Sequence, residues 1–192
     1  MRGWILWMAL CFAGCSSTEI PDTHLYMLRA NSNFSGTDSS RLIGIARVDV
    51  PAYLKRSELI LQVGPNELRP ARHHRWAEPL DQGVRRYLRD QLSELLGTDV
   101  DVNPRRRNRW DVQIEVAIEE LHGTLDGHAL LNASYAIVRS AQPERVQRGR
   151  VRLAESQTHD GYAGLVDVLS RLLDEFARRI AADVGAVGEA GK

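Results

Sequence analysis

Cysteine is nearly absent. Of 192 residues only Cys11 and Cys15 carry a thiol, and both lie within the first fifteen positions. The rest of the chain therefore has no disulfide, no thiolate metal site and no cysteine nucleophile. Net charge is missing too: 25 basic residues balance 25 acidic ones. That removes any global case for nucleic-acid binding. No apolar run is long enough to span a bilayer, which takes ~20 residues; the run at 3–12 has roughly half that.

Chemistry is just as thinly marked. No Ser sits in a Gly-x-Ser-x-Gly elbow. Neither a phosphate-binding glycine-rich loop nor a His-Glu-x-x-His motif is present. The paired histidines His73-His74 are flanked by Arg72 and Arg75, whose charge disfavours a bound cation, and strand neighbours point to opposite faces. Asp160, beside His159 at a helix start, reads as a cap or dipole partner. These absences argue against an enzyme and against a metal site.

What is present begins at the N-terminus. Arg2 precedes the short apolar stretch 3–12, the n-region and h-region of an export signal. Ala13-Gly14-Cys15 follows and resembles a bacterial lipobox, with Phe12 where Leu is commonest. That resemblance implies cleavage before Cys15, a diacylglyceryl group on its thiol and an acyl chain on the new amino group. No other cofactor is expected. At ~0.8 kcal/mol per buried CH₂, two or three chains hold a protein on a bilayer permanently. Ser16, Ser17 and Thr18 follow the cysteine, with no adjacent Asp. By the sorting rule that accompanies the lipobox, this implies the outer membrane, with the body on its periplasmic face. The alternative is an ordinary signal peptide that leaves a soluble secreted protein.

The chain then reads as a signal at 1–14, a lipidated tether at 15–24, one periplasmic domain at 25–184 and a Gly/Ala-rich flexible tail at 185–192. Strands are expected at 25–28, 42–50 (ended by Pro51), 58–63, 67–71 and 100–102. A helix is expected over 80–96, with Leu80, Val84, Leu88, Leu92 and Leu95 on one face and Gly97 as its stop. In 110–121, Val112, Ile114, Val116 and Ile118 alternate with polar residues, the pattern of a half-buried strand. Strands at 129–138 and 146–153 continue a meander through a turn near Pro143. A long helix over 159–184 carries the stripe Tyr162, Leu165, Val166, Leu169, Leu172, Leu173, Phe176, Ile180. The order predicts an α/β (α+β) two-layer sandwich, a mixed or antiparallel sheet with two main helices on one face.

Two basic stretches stand out, 69–75 and Arg105-Arg106-Arg107-Asn108-Arg109. They read either as solvated loops that balance acidic strands, or as a patch for anionic headgroups or an acidic partner, because clustered Arg gives bidentate contacts. Arg105, Arg106, Arg107 and Arg109 are the candidate partner-binding residues.

Residues 48–56, Val-Asp-Val-Pro-Ala-Tyr-Leu-Lys-Arg, are followed some twenty positions later by His74-Arg75-Trp76-Ala77-Glu78-Pro79-Leu80. With the lipobox and Tyr26-x-Leu28, these segments resemble the PqiC (YmbA) family of ABC-type transport auxiliary lipoproteins, over nearly all the mature chain. Leu25-Tyr26 departs from a frequent double aromatic, and the run at 72–75 is unusually basic. The resemblance implies an outer-membrane lipoprotein of a trans-envelope lipid transport system that maintains membrane integrity without catalysis. Its implied partner is an MCE-domain protein anchored in the inner membrane, and a homo-oligomeric ring suits such a docking piece. The shared residues Pro51, Tyr53, Leu54, Arg75, Trp76, Glu78 and Pro79 suit structural roles. Pro51 ends a strand and Tyr53-Leu54 tucks an aromatic–aliphatic pair under the next turn. Trp76 staples the helix through Leu80, and Glu78 faces the helix dipole. Two rival readings remain: a lipid carrier, which needs a closed apolar cavity, and a regulator of a cell-wall enzyme.

Overall fold

The computed structural model describes residues 22–34 and 41–189. The signal, Cys15 and most of the tether lie outside these residues. Eight strands and two long helices follow in the order β1 (His24–Tyr26), β2 (Ile43–Asp49), β3 (Glu58–Gly64), β4 (Glu67–Trp76), α1 (Leu80–Leu96), β5 (Val100–Asp101), β6 (Val112–Thr124), β7 (His128–Arg139), β8 (Gln142–Ser156) and α2 (Gly161–Glu189). Short 3-10 turns occupy Ala52–Leu54 and Pro104–Arg109.

All eight strands join one mixed sheet built around β6. One edge of β6 pairs antiparallel with β7, which carries β8. The other edge is shared. Residues 112–117 pair in parallel with β2, and 123–124 pair in parallel with β3. The sheet therefore forks along β6. One branch runs β2–β5 and the other β3–β4–β1.

Both helices cover the same face, as the alternation requires. Val112, Ile114, Val116 and Ile118 of β6 and Leu131, Ala133, Tyr135 and Ile137 of β7 point inward and are buried. They meet Leu165, Leu169, Leu172, Leu173, Phe176 and Ile180 of α2, together with Leu80, Val84, Leu88 and Leu92 of α1. Leu95, in the last turn of α1, stays 43% exposed while Leu96 packs on the core. Gly97, at φ 64, ends α1 in the left-handed conformation a side chain resists.

Several boundaries differ from the sequence reading. His24 belongs to β1 and not to the tether, because it pairs with His74 of β4. β4 runs five residues beyond the expected 71, held by β3 on one edge and β1 on the other. Pro143 lies inside β8 and not in a turn; β8 is an edge strand, where a missing N–H is tolerated. Residues 185–189, expected in the flexible tail, continue α2. Gly185 costs a helix only about 1 kcal/mol relative to Ala. Residues 190–192 lie outside the described residues.

Candidate functional site

The segment 48–56 sits at the fork of the sheet. Ile118 and Glu120 of β6 flank a β-bulge whose extra residue is Glu119, between the stretches that pair with β2 and with β3. The Tyr53 hydroxyl donates to the Glu119 carbonyl at 2.8 Å. Burial, with Glu120 nearby, pushes the Tyr53 phenol up to about 12, so it remains a donor. Pro51 opens the 3-10 turn that presents Tyr53, accepting from the Leu54 amide at 3.0 Å, and Leu54 is buried. A second bulge, at Ala46 of β2, is handled alike: the Ala46 carbonyl accepts from Arg85 of α1 at 2.9 Å.

The segment 74–80 ties β1, β3, β4 and α1 together. The Trp76 amide donates to Ser57 at 2.7 Å, and the Ala77 amide donates to Tyr26 at 2.8 Å. Trp76 and Leu80 are buried in one core cluster. Arg75 lies 3.6 Å from Glu58. Glu78 pairs with Arg86, which also donates to the Leu28 carbonyl at 2.9 Å. The Pro79 carbonyl accepts the first helical amides, of Gln82 and Gly83, at 3.0 Å.

His74 lies in a stack of rings. Its ring stacks on Tyr162 at 3.8 Å and on His24 at 5.1 Å, and the Tyr26 hydroxyl lies 2.9 Å from its Nδ1. Desolvation, with His24 and His73 alongside, holds the His74 imidazole below its ordinary value. Burial, with Tyr162 close by, raises the Tyr26 phenol. This stack joins the start of β1 to the start of α2. Nothing local in the sequence marks it, because β1, β4 and α2 meet only through the sheet. Among the described residues no three His, Cys, Asp or Glu side chains gather as a metal site would need. No described helix is long and apolar enough to cross a membrane.

The uncovered face of the sheet is the structure's main unassigned surface. Ala117 of β6 and Ser134 and Ala136 of β7 make a low floor. Arg47 and Asp49 of β2, Glu115 of β6 and Arg148 and Arg150 of β8 rim it, around an open groove of about 420 Å³. Arg47 reaches Glu115 at 3.3 Å and Asp49 at 3.2 Å. The candidate arginines adjoin this face. Arg105, Arg106, Arg107 and Arg109 all lie in the exposed 3-10 turn, and two of them have acidic partners. Arg107 donates to Gln113 at 2.8 Å and to the same Glu115 at 3.2 Å. Arg106 lies 3.7 Å from Asp101.

The sequence reading missed the other half of this surface. Arg148, Arg150 and Arg152 of β8 stand opposite Ala136, Ser134 and Asn132 of β7. All three are exposed and point away from the helices. Arg150 reaches Glu119 at 2.9 Å. The signal was available: every second residue from 148 to 152 is Arg, and strand periodicity puts such residues on one face.

The inward face, in contrast, is filled by side chains. Phe176 packs edge to face on Tyr135 at 5.8 Å between ring centres. The Tyr135 ring lies over Gly149 of β8, where any Cβ would come within 2.2 Å of it. The Tyr135 hydroxyl donates to Asp183 at 2.6 Å.

A family model described as an ABC-type transport auxiliary lipoprotein component matches residues 26–181. The chain is 29% identical over 187 residues to intermembrane transport lipoprotein PqiC of Escherichia coli K12, covering 96% of this chain and 98% of the relative. The Shigella flexneri protein of that name matches equally. Among solved structures, an uncharacterized protein superposes with a TM-score of 0.74 at 24% identity, over 85% of this chain and 99% of that one. A Xanthomonas campestris protein does so with a TM-score of 0.68 at 12% identity, over 88% and 98%. These two likenesses establish the fold.

Proposed function

The chain belongs to the ABC-type transport auxiliary lipoprotein family, and from that membership we propose that it is a non-catalytic outer-membrane lipoprotein docking a periplasm-spanning lipid transport system. One observation carries the reading: its likeness to an intermembrane transport lipoprotein spans 96% of the chain. Cys15 holds the protein in the outer membrane through its acyl chains, and the body faces the periplasm. The partner is an MCE-domain protein anchored in the inner membrane, and a homo-oligomeric ring presents several docking surfaces to it.

The filled interior supports docking over carriage. A lipid carrier needs an apolar chamber, and here Ile114, Leu131, Val168, Leu173 and Phe176 occupy the space between the layers. Arg105, Arg106, Arg107 and Arg109 are the docking arginines of this proposal. Arg105 and Arg109 meet the partner's carboxylates directly, while Arg106 and Arg107 exchange their internal partners for them. The residues of the two family segments hold the fork and the β1–β4–α1 junction in shape.

Two measurements test this. Cys15→Ala should release the body from outer-membrane fractions, and wild type should incorporate labelled palmitate. A mutant that stays with the membrane, and a wild type without label, sink the anchor. Pull-down of the MCE-domain protein by wild type and by the Arg105→Glu/Arg106→Glu/Arg107→Glu variant, at low and high salt, tests the docking surface. Charges this exposed act over ~8 Å at physiological ionic strength, so recovery should fall at low salt and the difference should fade as salt rises. Equal recovery at low salt returns these arginines to a solvated turn. Co-purification with a cell-wall enzyme and not with an MCE-domain protein favours the regulator.

A further inference from the structure

The sheet ends in three edges of very unequal length. β1 contributes three residues and β5 two. β8 contributes fifteen, paired with β7 on one side only among the described residues. An unpaired edge offers a row of N–H and C=O groups to any extended chain, and proteins ordinarily keep such edges short or covered. From this edge and the charges on it we infer that β8 accepts an extended segment of a partner protein as an added strand, one with acidic side chains at alternate positions.

The side chains of β8 set the chemistry of that segment. Arg148, Arg150 and Arg152 project from the uncovered face, two residues apart. An added strand keeps the same period, so its alternate side chains fall beside these three guanidinium groups. Arg150 is shared with Glu119. Arg148 and Arg152 make no ion pair among the described residues, and their neighbours on β7 are Ala136 and Asn132. Carboxylates on the incoming strand would supply the missing partners. The other side chains of that strand would turn toward α2. There an open groove of about 440 Å³ runs between Leu153 to Glu155 and Arg171, Leu172 and Glu175. Leu153 and Leu172 form its apolar part, and Arg171 already donates to Glu155 at 2.6 Å. The favoured segment thus alternates acidic and apolar residues. Pro143 has no N–H to offer, so pairing begins after it.

A second copy of this chain fits the edge poorly. Two β8 edges side by side would set arginine rows against each other, and like charges directly opposite are destabilising. An acidic segment meets no such penalty. This inference goes beyond the transport reading, since it specifies the shape and charge of a segment and not which protein carries it.

Hydrogen–deuterium exchange on the full lipidated protein in detergent tests it, with a synthetic peptide of about eight alternating Glu and Val residues as the probe, a typical strand length. The expected result is slowed exchange in residues 144–156, absent with the Lys/Val counterpart. Affinity should fall on the order of ten-fold in Arg148→Glu/Arg152→Glu at low salt. The melting temperature of that variant should match wild type, which separates lost binding from lost fold. Four results overturn the inference. The peptide leaves β8 exchange unchanged at saturation. It protects only residues 104–109. It binds the double variant as tightly as wild type. Or β8 is protected without peptide in proportion to protein concentration, which makes a second copy the occupant. Failure of peptide binding combined with self-association of Arg148→Val/Arg152→Val shows that the arginines only guard an edge. None of these results bears on acylation of Cys15 or on recovery of the MCE-domain protein, so the two proposals stand or fall separately.

Discussion

The two faces of one sheet behave as different materials. On β6, Ile114 and Val116 face the helices and are 0% and 2% exposed, while their neighbours Glu115 and Ala117 line an open groove. β7 repeats the division, with Ala133, Tyr135 and Ile137 inward and Ser134 and Ala136 outward. Stability is concentrated on the inward face, through burial of apolar area at ~25 cal/mol per Å². The outward face holds charges in water, where each exposed ion pair contributes ~0–1 kcal/mol. A covalently continuous strand can thus separate folding from recognition, because between its bulges consecutive side chains point to opposite faces.

That division can be broken or sharpened by substitution. The largest effect belongs to Phe176→Ala, which empties a fully buried site against Tyr135. Denaturant unfolding should show a loss of about 3–5 kcal/mol; a loss below about 1 kcal/mol would mean that the inward face does not carry the fold. Gly44→Ala comes next. A Cβ there would meet the Trp110 ring at 2.1 Å, and such overpacking costs about 1–3 kcal/mol. Tyr53→Phe removes the donor to the bulged Glu119 carbonyl. Loss of a part-buried hydrogen bond costs about 0.5–1.5 kcal/mol, and faster amide exchange around 117–123 should localise the loss to the fork.

A smaller effect follows from His74. Its folded imidazole titrates below the ordinary 6.5, so the unfolded chain takes up the proton first as pH falls. Stability should be complete above about pH 6.5 and decline below it, and His74→Gln should flatten that slope in melting curves at pH 7.5 and 5.5. The smallest effect sharpens the contrast most. Reversing Arg148 and Arg152 on the outward face should leave unfolding within about 0.5 kcal/mol of wild type. A large destabilisation would show that the two faces are not independent.

The two arginine clusters explain why this surface was only half legible. Arg105, Arg106, Arg107 and Arg109 attract notice because they are dense in the sequence, yet consecutive residues in a 3-10 turn point in different directions. Two of them end on Asp101 and Glu115. Arg148, Arg150 and Arg152 are sparser and so less conspicuous, but their spacing of two matches the strand and aligns them. The elements were easier to read. The pattern that marks α1 at 80–96 coincides with its observed bounds, and the stripe on α2 is buried from Leu165 to Ile180. Long amphipathic segments state their own period; short ones do not. The 3-10 turn at Ala52–Leu54 and the extension of β4 to Trp76 depend on partners far away in sequence, on Glu119 and on β1.

The amino-acid order alone determined the alternation of β6 and β7, the two apolar helix stripes and the family to which the chain belongs. Each is written in spacing or identity over a few consecutive turns or pleats, and local sterics and solvation read it directly. Only the tertiary structure decided that the sheet forks along β6, that Tyr53 and Arg85 satisfy the two bulged carbonyls, that His24, His74 and Tyr162 stack, and that β8 ends the sheet with its arginines in a row. Those facts depend on which strand edges meet, and edge pairing joins residues dozens of positions apart whose neighbours in the chain carry no trace of the contact.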